Sequence, residues 1–309
     1  MKKLIVVLGP TASGKTELSL KLAKKFGGEI INADSRTIYK ELDIGTDKPL
    51  QSKNEKVKSK KGKQKKEYIV KEVPHHLIDF LEPLKIFSVA KYQKLASKKI
   101  KEIQAKGKIP FLVGGSPLYI DSVIYEYKIP KVKPDYKLRE KLEKESEGSL
   151  VSKLERINPE ALESVDLKNK RRVIRAFEIV LKSKKSLRPA VRSLSKNILV
   201  LGIKTDREKL YKKINQRVEL MMKKGLIKEV ENLVKKYSKE APALSGIGYR
   251  QIVEYLQGET SSSEALELVK RDSRRFAKRQ LTWFRRNKNI KWVSNQKQAE
   301  KLIHKLLKN

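Results

Sequence analysis

Residues 4–16 read Leu4-Ile5-Val6-Val7-Leu8-Gly9-Pro10-Thr11-Ala12-Ser13-Gly14-Lys15-Thr16. The first five are an unbroken apolar run, the pattern of a strand buried on both faces. Glu17-Leu18-Ser19-Leu20-Lys21-Leu22-Ala23-Lys24-Lys25 follows with helical spacing. Strand, glycine-bounded loop, Gly-Lys-Thr and helix together make the full context of a P-loop. In such a loop the backbone N–H groups turn inward and the helix N-terminus adds partial positive charge, so a phosphate sits in the cradle. Lys15 is placed to neutralise the outer phosphate, and the Thr16 hydroxyl to ligate magnesium. Gly9 to Thr16 therefore predicts a bound diphosphate or triphosphate, without saying what is done to it.

Working outward, Glu29-Ile30-Ile31-Asn32-Ala33 reads as a second short strand that ends in Asp34-Ser35. Ser88 is placed to cap a helix from Val89 to about Ala105. Ile109-Pro110-Phe111-Leu112-Val113 is a third strand with a Gly114-Gly115-Ser116 turn, and Asn197 to Ile203 is a fourth, followed by a capping Asp206. Strands alternating with helices predict an α/β fold, a P-loop-type parallel sheet flanked by helices. In open sheets of this kind ligands bind outside the carboxyl ends of the strands. Thr11 to Thr16, Asp34-Ser35 and Ser116 are expected on that edge. A carboxylate such as Asp34 there could activate a hydroxyl in a kinase, help hold magnesium, or act as base for a nucleophile that displaces diphosphate.

Between about Tyr125 and Lys196 the pattern is helical and highly charged, with helices expected at 135–145, 150–156 and 169–183. This block reads as an all-helical domain, residues 125–196, inserted into a core of residues 1–124 and 197–309. Further helices are expected near 207–223, 227–237, 249–256, 263–286 and 298–307. Residues 50–72, rich in lysine and poor in apolar side chains, read as a solvated loop, with a phosphate-backbone contact as the functional alternative.

Lysine and arginine number 73 against 36 acids, a formal net charge of +37 over 309 residues. That excess predicts a polyanionic partner, nucleic acid first, with an anionic membrane surface as the competing explanation. Two basic clusters stand out. Arg171, Arg172 and Arg175 lie three and four residues apart on one helix. Arg271 to Arg286 interleaves arginines with Phe276, Trp283 and Phe284, an arrangement suited to backbone phosphates, with the aromatics expected in the core. The absence of cysteine excludes a disulfide framework and a cysteine-ligated zinc finger. No run approaches the roughly 20 apolar residues of a membrane span. A cytoplasmic protein with no membrane association is expected.

Several of these stretches occur together in a known order: Gly9 to Thr16; Asp34-Ser35 with Tyr39; Asp43-Ile44-Gly45-Thr46 with Lys48-Pro49; Val73-Pro74-His75-His76-Leu77-Ile78-Asp79; Val113 to Ser116 with Leu118-Tyr119; Gly248-Tyr249; and Ala277-Lys278-Arg279-Gln280 with Thr282-Trp283. Across essentially the whole chain the sequence resembles the tRNA dimethylallyltransferase (tRNA isopentenyltransferase) family, bacterial type. The resemblance implies transfer of a dimethylallyl group from dimethylallyl diphosphate to the exocyclic N6 amine of the adenosine 3′ of the anticodon, position 37. The tRNAs would be those reading codons that begin with U, and diphosphate would be released. Family members are commonly labelled ATP-binding, but here the loop Gly9, Pro10, Thr11, Ala12, Ser13, Gly14, Lys15, Thr16 would hold the prenyl diphosphate.

By the same resemblance Asp34 would be the general base, with Thr11 and Ser116 positioning reacting groups. Lys15, Thr16 and Arg217, the last within Asn215-Gln216-Arg217, would hold the diphosphate, assisted by Mg2+ at Thr16. The tRNA contacts would fall on Asp34, Ser35, Arg36, Thr37, Ser116, Arg139, Arg171, Arg172, Arg175, Gly248, Tyr249, Arg250, Lys278, Arg279, Gln280 and Arg285. The inserted helical domain would grip the anticodon stem-loop of tRNA, and the enzyme would act as a monomer. Ser116 and Ser273 stand where the family usually has threonine, and the lysine-rich stretch is longer than the family's usual segment. Two other readings fit parts of the pattern: a P-loop small-molecule or nucleoside kinase, which would turn over ATP, and a non-catalytic basic RNA-binding protein.

Overall fold

The computed structural model of the chain describes residues 3–52, 56–58, 64–183 and 192–308. The chain runs through β1 (Leu4–Leu8), α1 (Lys15–Lys25), β2 (Glu29–Asn32), β3 (Lys56–Lys58), β4 (Gln64–Lys66), β5 (Tyr68–Val70), β6 (Val73–His76), α2 (Val89–Ala105), β7 (Pro110–Gly114) and α3 (Pro117–Ile124). It continues through α4 (Tyr136–Glu143), α5 (Glu147–Ile157), α6 (Lys170–Lys182), β8 (Ile198–Ile203), α7 (Arg207–Lys223), α8 (Leu226–Tyr237), α9 (Tyr249–Leu256), α10 (Ser262–Arg285), β9 (Lys291–Val293) and α11 (Gln296–Lys308). Two compact units result: Met1–Ile124 with Leu194–Asn309, and Tyr125–Ser193.

The larger unit is built on a seven-stranded sheet in the order β5-β6-β2-β7-β1-β8-β9. All neighbours pair in parallel except β5 with β6. β1 lies between β7 and β8, and its five residues are all buried, which is why it reads as a continuous apolar run. The register Leu8↔Gly114 and Asn32↔Val113 brings the carboxyl ends of β1, β2 and β7 level. The segments that follow them, Gly9 onward, Asp34 onward and Ser116 onward, therefore emerge side by side.

One apolar cluster packs Leu22 and Ala23 of α1 and Ala299 and Ile303 of α11 on the sheet. Another joins Ile38, Tyr39 and Leu42 to α8 and α9. Helix starts follow the local chemistry: the side chains of Ser88, Asp206 and Ser261 each accept a bond from a first-turn N–H of α2, α7 and α10.

The smaller unit has its own core of Leu142, Leu150, Leu154, Val173, Ile174 and Phe177. The lysine-rich stretch read as a solvated loop contains strands: β3 and β4 pair antiparallel, and β5 extends the main sheet. Residues 53–55 and 59–63 of that stretch lie outside the described residues. Among the described residues no helix is long and apolar enough to cross a membrane.

Candidate active site

The cradle forms as its residue types require. Gly14 caps α1 at φ 84°, a left-handed conformation that favours glycine, and Ala12 sits at φ 60°. Lys15 folds back so that Nζ donates to the Pro10 carbonyl at 3.3 Å. Burial pulls the Lys15 ammonium down from 10.5 to about 8; Asp34 and Asp47 oppose that fall, while the nearby Arg217 adds to it. An anion arriving here meets a cation that lacks a full counter-charge.

Arg217 spans two segments. It donates to Thr11 Oγ1 at 2.9 Å and to the Thr46 carbonyl at 3.2 Å, and its Nε lies 3.4 Å from Asp47 Oδ2. The Thr16 hydroxyl is exposed at the start of α1, on a pocket it shares with Asp34 and Asp47. These are hard oxygen donors of the kind magnesium takes. Among the described residues no cluster of three or more acidic, histidine or cysteine side chains could hold an ion alone. Such a donor set suits a magnesium ion completed by phosphate oxygens and water.

Two cavities meet at this point. The first is lined by Lys15, Thr16, Asn32, His75, Ile78 and Val113, among others. The second, with a volume of about 310 Å³, is walled by α7 and α10. Ile214, Arg217, Val218 and Met221 face it from α7 at helical spacing, and Val269, Ser273 and Phe276 face it from α10. Thr11, Asp34, Thr46 and Arg217 line both cavities. Asp34 is half-buried, and its Oδ1 accepts the Arg36 N–H at 2.8 Å. Ser116 Oγ accepts the Ser35 N–H at 3.0 Å, which ties the ends of β2 and β7 together. His75, on the first cavity, is lowered to about 4 by burial and is neutral at ordinary pH.

The residues expected on the RNA side divide into outward and inward groups. Arg250, Lys278, Arg279 and Arg285 are exposed, and the Arg279 guanidinium sits 5.8 Å from the Phe276 ring centre. Arg36 donates to the carbonyls of Pro242 and Ala243, both at 3.4 Å, and to Ser245 Oγ at 3.3 Å. Thr37 is buried and donates to Asn32 Oδ1. Tyr249 and Gln280, expected as RNA contacts, instead turn inward. Gln280 is 2% exposed, accepts the Thr11 N–H at 3.0 Å and donates to the Gly115 carbonyl at 2.6 Å. It joins the P-loop to the turn after β7. Tyr249 is 1% exposed and donates to Glu229 Oε1 at 2.6 Å.

In the helical unit Arg139 grips the buried Glu178 with two bonds of 2.8 and 2.9 Å, and Arg175 adds a third at 2.8 Å. Arg172 pairs with Asp166, and Arg171 is exposed. The expected core placement holds for Phe284, which is buried, whereas Trp283 is half-buried with its N–H on Asp121.

Sequence reasoning did not find Asp47, the Thr46 carbonyl or Glu229. The first two lie in or beside the Asp43-Ile44-Gly45-Thr46 motif, which entered the family resemblance without a role for either. Glu229, in Lys228-Glu229-Val230, looks like any surface glutamate.

The chain is similar to known proteins along nearly its whole length. A family model described as IPP transferase matches residues 37–287, and one described as isopentenyl transferase matches residues 2–62. The tRNA dimethylallyltransferase of Acetivibrio thermocellus is 44% identical, covering 99% of this chain and 96% of that protein. The Bacillus subtilis protein of that name is 42% identical, covering 93% and 89%. The crystal structure of the full-length tRNA isopentenylpyrophosphate transferase from Bacillus halodurans superposes with a TM-score of 0.72 at 35% identity, covering 100% of this chain and 97% of that one. A eukaryotic dimethylallyltransferase captured acting on tRNA gives 0.73 at 25% identity, covering 92% and 70%. The chain belongs to the IPP transferase family, in the company of proteins named tRNA dimethylallyltransferase.

Proposed function

We propose that this tRNA dimethylallyltransferase holds dimethylallyl diphosphate in the first cavity and receives the target adenosine of its tRNA in the second. The observation that carries the reading is the placement of Asp34, Thr11 and Arg217 on both cavities at once. A group between them touches the anion cradle and the incoming base together.

The diphosphate lies against Gly9 to Thr16, with Lys15 and Arg217 on its oxygens. The N6 amine of the adenosine at position 37 attacks C1 of the allyl group. The C1–O bond breaks with its electron pair going to diphosphate, and the amine proton passes to the Asp34 carboxylate. An aromatic exocyclic amine is a weak nucleophile, so removing its proton helps. Negative charge grows on the leaving group, where fixed N–H dipoles, Lys15 and Arg217 oppose it. Magnesium, held by the Thr16 hydroxyl and the phosphate oxygens, would supply further charge neutralisation there.

The base must leave the anticodon stack, at a cost of a few kcal/mol that RNA contacts elsewhere offset. Arg250, Lys278, Arg279 and Arg285, with the inserted helical unit, are the proposed source of those contacts. The reading places a monomeric enzyme in the cytoplasm, acting on tRNAs for codons beginning with U.

Its test is mass analysis of tRNA incubated with the protein, dimethylallyl diphosphate and magnesium, without ATP. One added C5H8 unit on the adenosine beside the anticodon is expected, with one diphosphate released per transfer. Unmodified tRNA together with ATP turnover on a small acceptor would establish the kinase reading in its place.

A further inference from the structure

Arg217 is held on one side by Thr11 and on the other by the loop that carries Thr46 and Asp47. How that loop is itself fixed is therefore a question about the site. Three successive N–H groups, of Asp43, Ile44 and Gly45, donate to the carboxylate of Glu229 at 3.2, 2.7 and 3.2 Å. The Tyr249 hydroxyl donates to the same carboxylate at 2.6 Å. A Cβ at Gly45 would lie 2.6 Å from the Tyr249 ring, so the loop backbone rests directly on that ring.

Four donors converge on one anion, and the loop presents its next carbonyl, that of Thr46, to Arg217. Hydrogen bonds to an ionised acceptor are short and about twice as strong as neutral ones. Lys48, almost fully buried, anchors the far side of the loop on Asp43 and Asp79, both at 2.6 Å. Tyr249 follows directly on Ser245, Ile247 and Gly248, which line the second cavity.

We infer that Glu229 and Tyr249 form a clamp that positions Arg217 for the diphosphate, acting through the loop Asp43–Asp47. The inference rests on the reading of Arg217 as a diphosphate ligand. Glu229 and Tyr249 are positioning residues: neither lines the first cavity, and their effect passes through Thr46 and Asp47. The clamp lies between the segment facing the RNA side and the group facing the leaving group.

The test is a double-mutant cycle read by calorimetric binding of inorganic diphosphate with magnesium, alongside steady-state prenyl transfer. Tyr249→Phe keeps the ring under Gly45 and removes one bond. Glu229→Gln keeps the shape and removes the charge. Diphosphate binding should weaken about threefold in the first and on the order of tenfold in the second. The KM for prenyl diphosphate should rise with it, while the KM for tRNA stays within about twofold.

In an Arg217→Ala background, Glu229→Gln should weaken binding no further, because the group it positions is gone. A purely structural Glu229 would instead cost the same in both backgrounds and would move both KM values together; that result overturns the inference. So does tight diphosphate binding in Glu229→Gln when Arg217→Ala has lost it. If Arg217→Ala itself binds diphosphate normally, the reading of the site and the clamp fall together.

Discussion

Asp34 works at the junction of two cavities with one carboxylate oxygen already engaged by the Arg36 N–H. Asp34→Asn keeps an acceptor for that bond and keeps the shape, but it loses the basicity. Single-turnover prenyl transfer should slow by about 10²–10⁴-fold, the usual worth of a general base, with tRNA binding within about twofold. Turnover at the wild-type rate would remove Asp34 from the base role. Lys15 makes a separate prediction in pH. Burial lowers its ammonium from 10.5 to about 8 in the free protein. Bound diphosphate favours the charged form and raises the pKa again, so above about pH 8 binding must take up a proton. The Lys15 contribution to diphosphate affinity should be constant below about pH 8, where only the ligand's own ionisation acts, and should fall above it, approaching about tenfold per unit. Calorimetry in buffers of different ionisation heat measures the proton directly. An affinity independent of pH between 7 and 10 would contradict this account. The linkage to stability has the same origin. Between about 8 and 10.5 the unfolded chain carries a proton that the free folded protein has lost, so this group's contribution to stability rises with pH across that window.

At the level of elements, β1 with its loop and α1 was legible because a fully buried strand, a glycine loop and an amphipathic helix each leave a distinct pattern in sequence. β6 was not. It is four residues long and contains Pro74, which supplies no N–H to the ladder, and it alternates buried and half-buried residues that include two histidines. β9 is shorter still and buries only Val293. β5 lies next to a lysine-rich run and becomes a strand through pairing with β6, a tertiary effect that local composition does not encode. The site shows the same division. Lys15 and Asp34 could be placed from their strand ends, whereas Gln280 and Tyr249 were put on the RNA side by the family resemblance alone and are buried. Helical period alone does not distinguish a buried amide that bridges two loops from one on the surface. α6 is a further case: its arginines gave a basic face, but Glu178, fully buried, turns Arg175 and Arg139 onto itself. Burial opposes ionisation of Glu178, yet the bonds from Arg139 and Arg175 win and hold it at about 2. The stabilisation this provides is present above the ordinary value near 4.5 and is lost as pH falls toward 2. Glu178→Ala leaves two arginines without their shared acceptor and should destabilise the Tyr125–Ser193 unit by about 3 kcal/mol. Hydrogen exchange would report faster opening of α4 and α6 with the β1 and β7 amides unchanged. Protection that is equal everywhere would show that the triad adds nothing net.

Over the whole molecule the charge decides what kind of partner is bound and how strongly salt weakens it. The chain carries 73 basic residues against 36 acidic ones, a formal excess of 37 positive charges that its own acids do not neutralise. Many surface lysines do pair, as Lys21 with Glu17 and Lys236 with Glu41, but exposed pairs of this sort are worth only about 0–1 kcal/mol each. The unpaired excess raises the local concentration of any polyanion, and each phosphate neutralised releases condensed counterions. Binding of tRNA should therefore weaken steeply and linearly on a log–log plot against salt. The contacts that matter can be separated by their slopes. Arg279 is exposed at the rim of the second cavity, so Arg279→Ala should weaken tRNA binding and make the slope shallower by about 1. Lys15 lines the first cavity, the one proposed for the leaving group, so Lys15→Ala should abolish diphosphate binding and leave the tRNA slope unchanged. Fluorescence anisotropy of a labelled anticodon stem-loop across a salt series reads both. If Lys15→Ala shifted the slope and Arg279→Ala did not, the two cavities would have exchanged ligands and the assignment of leaving group and base would have to be reversed.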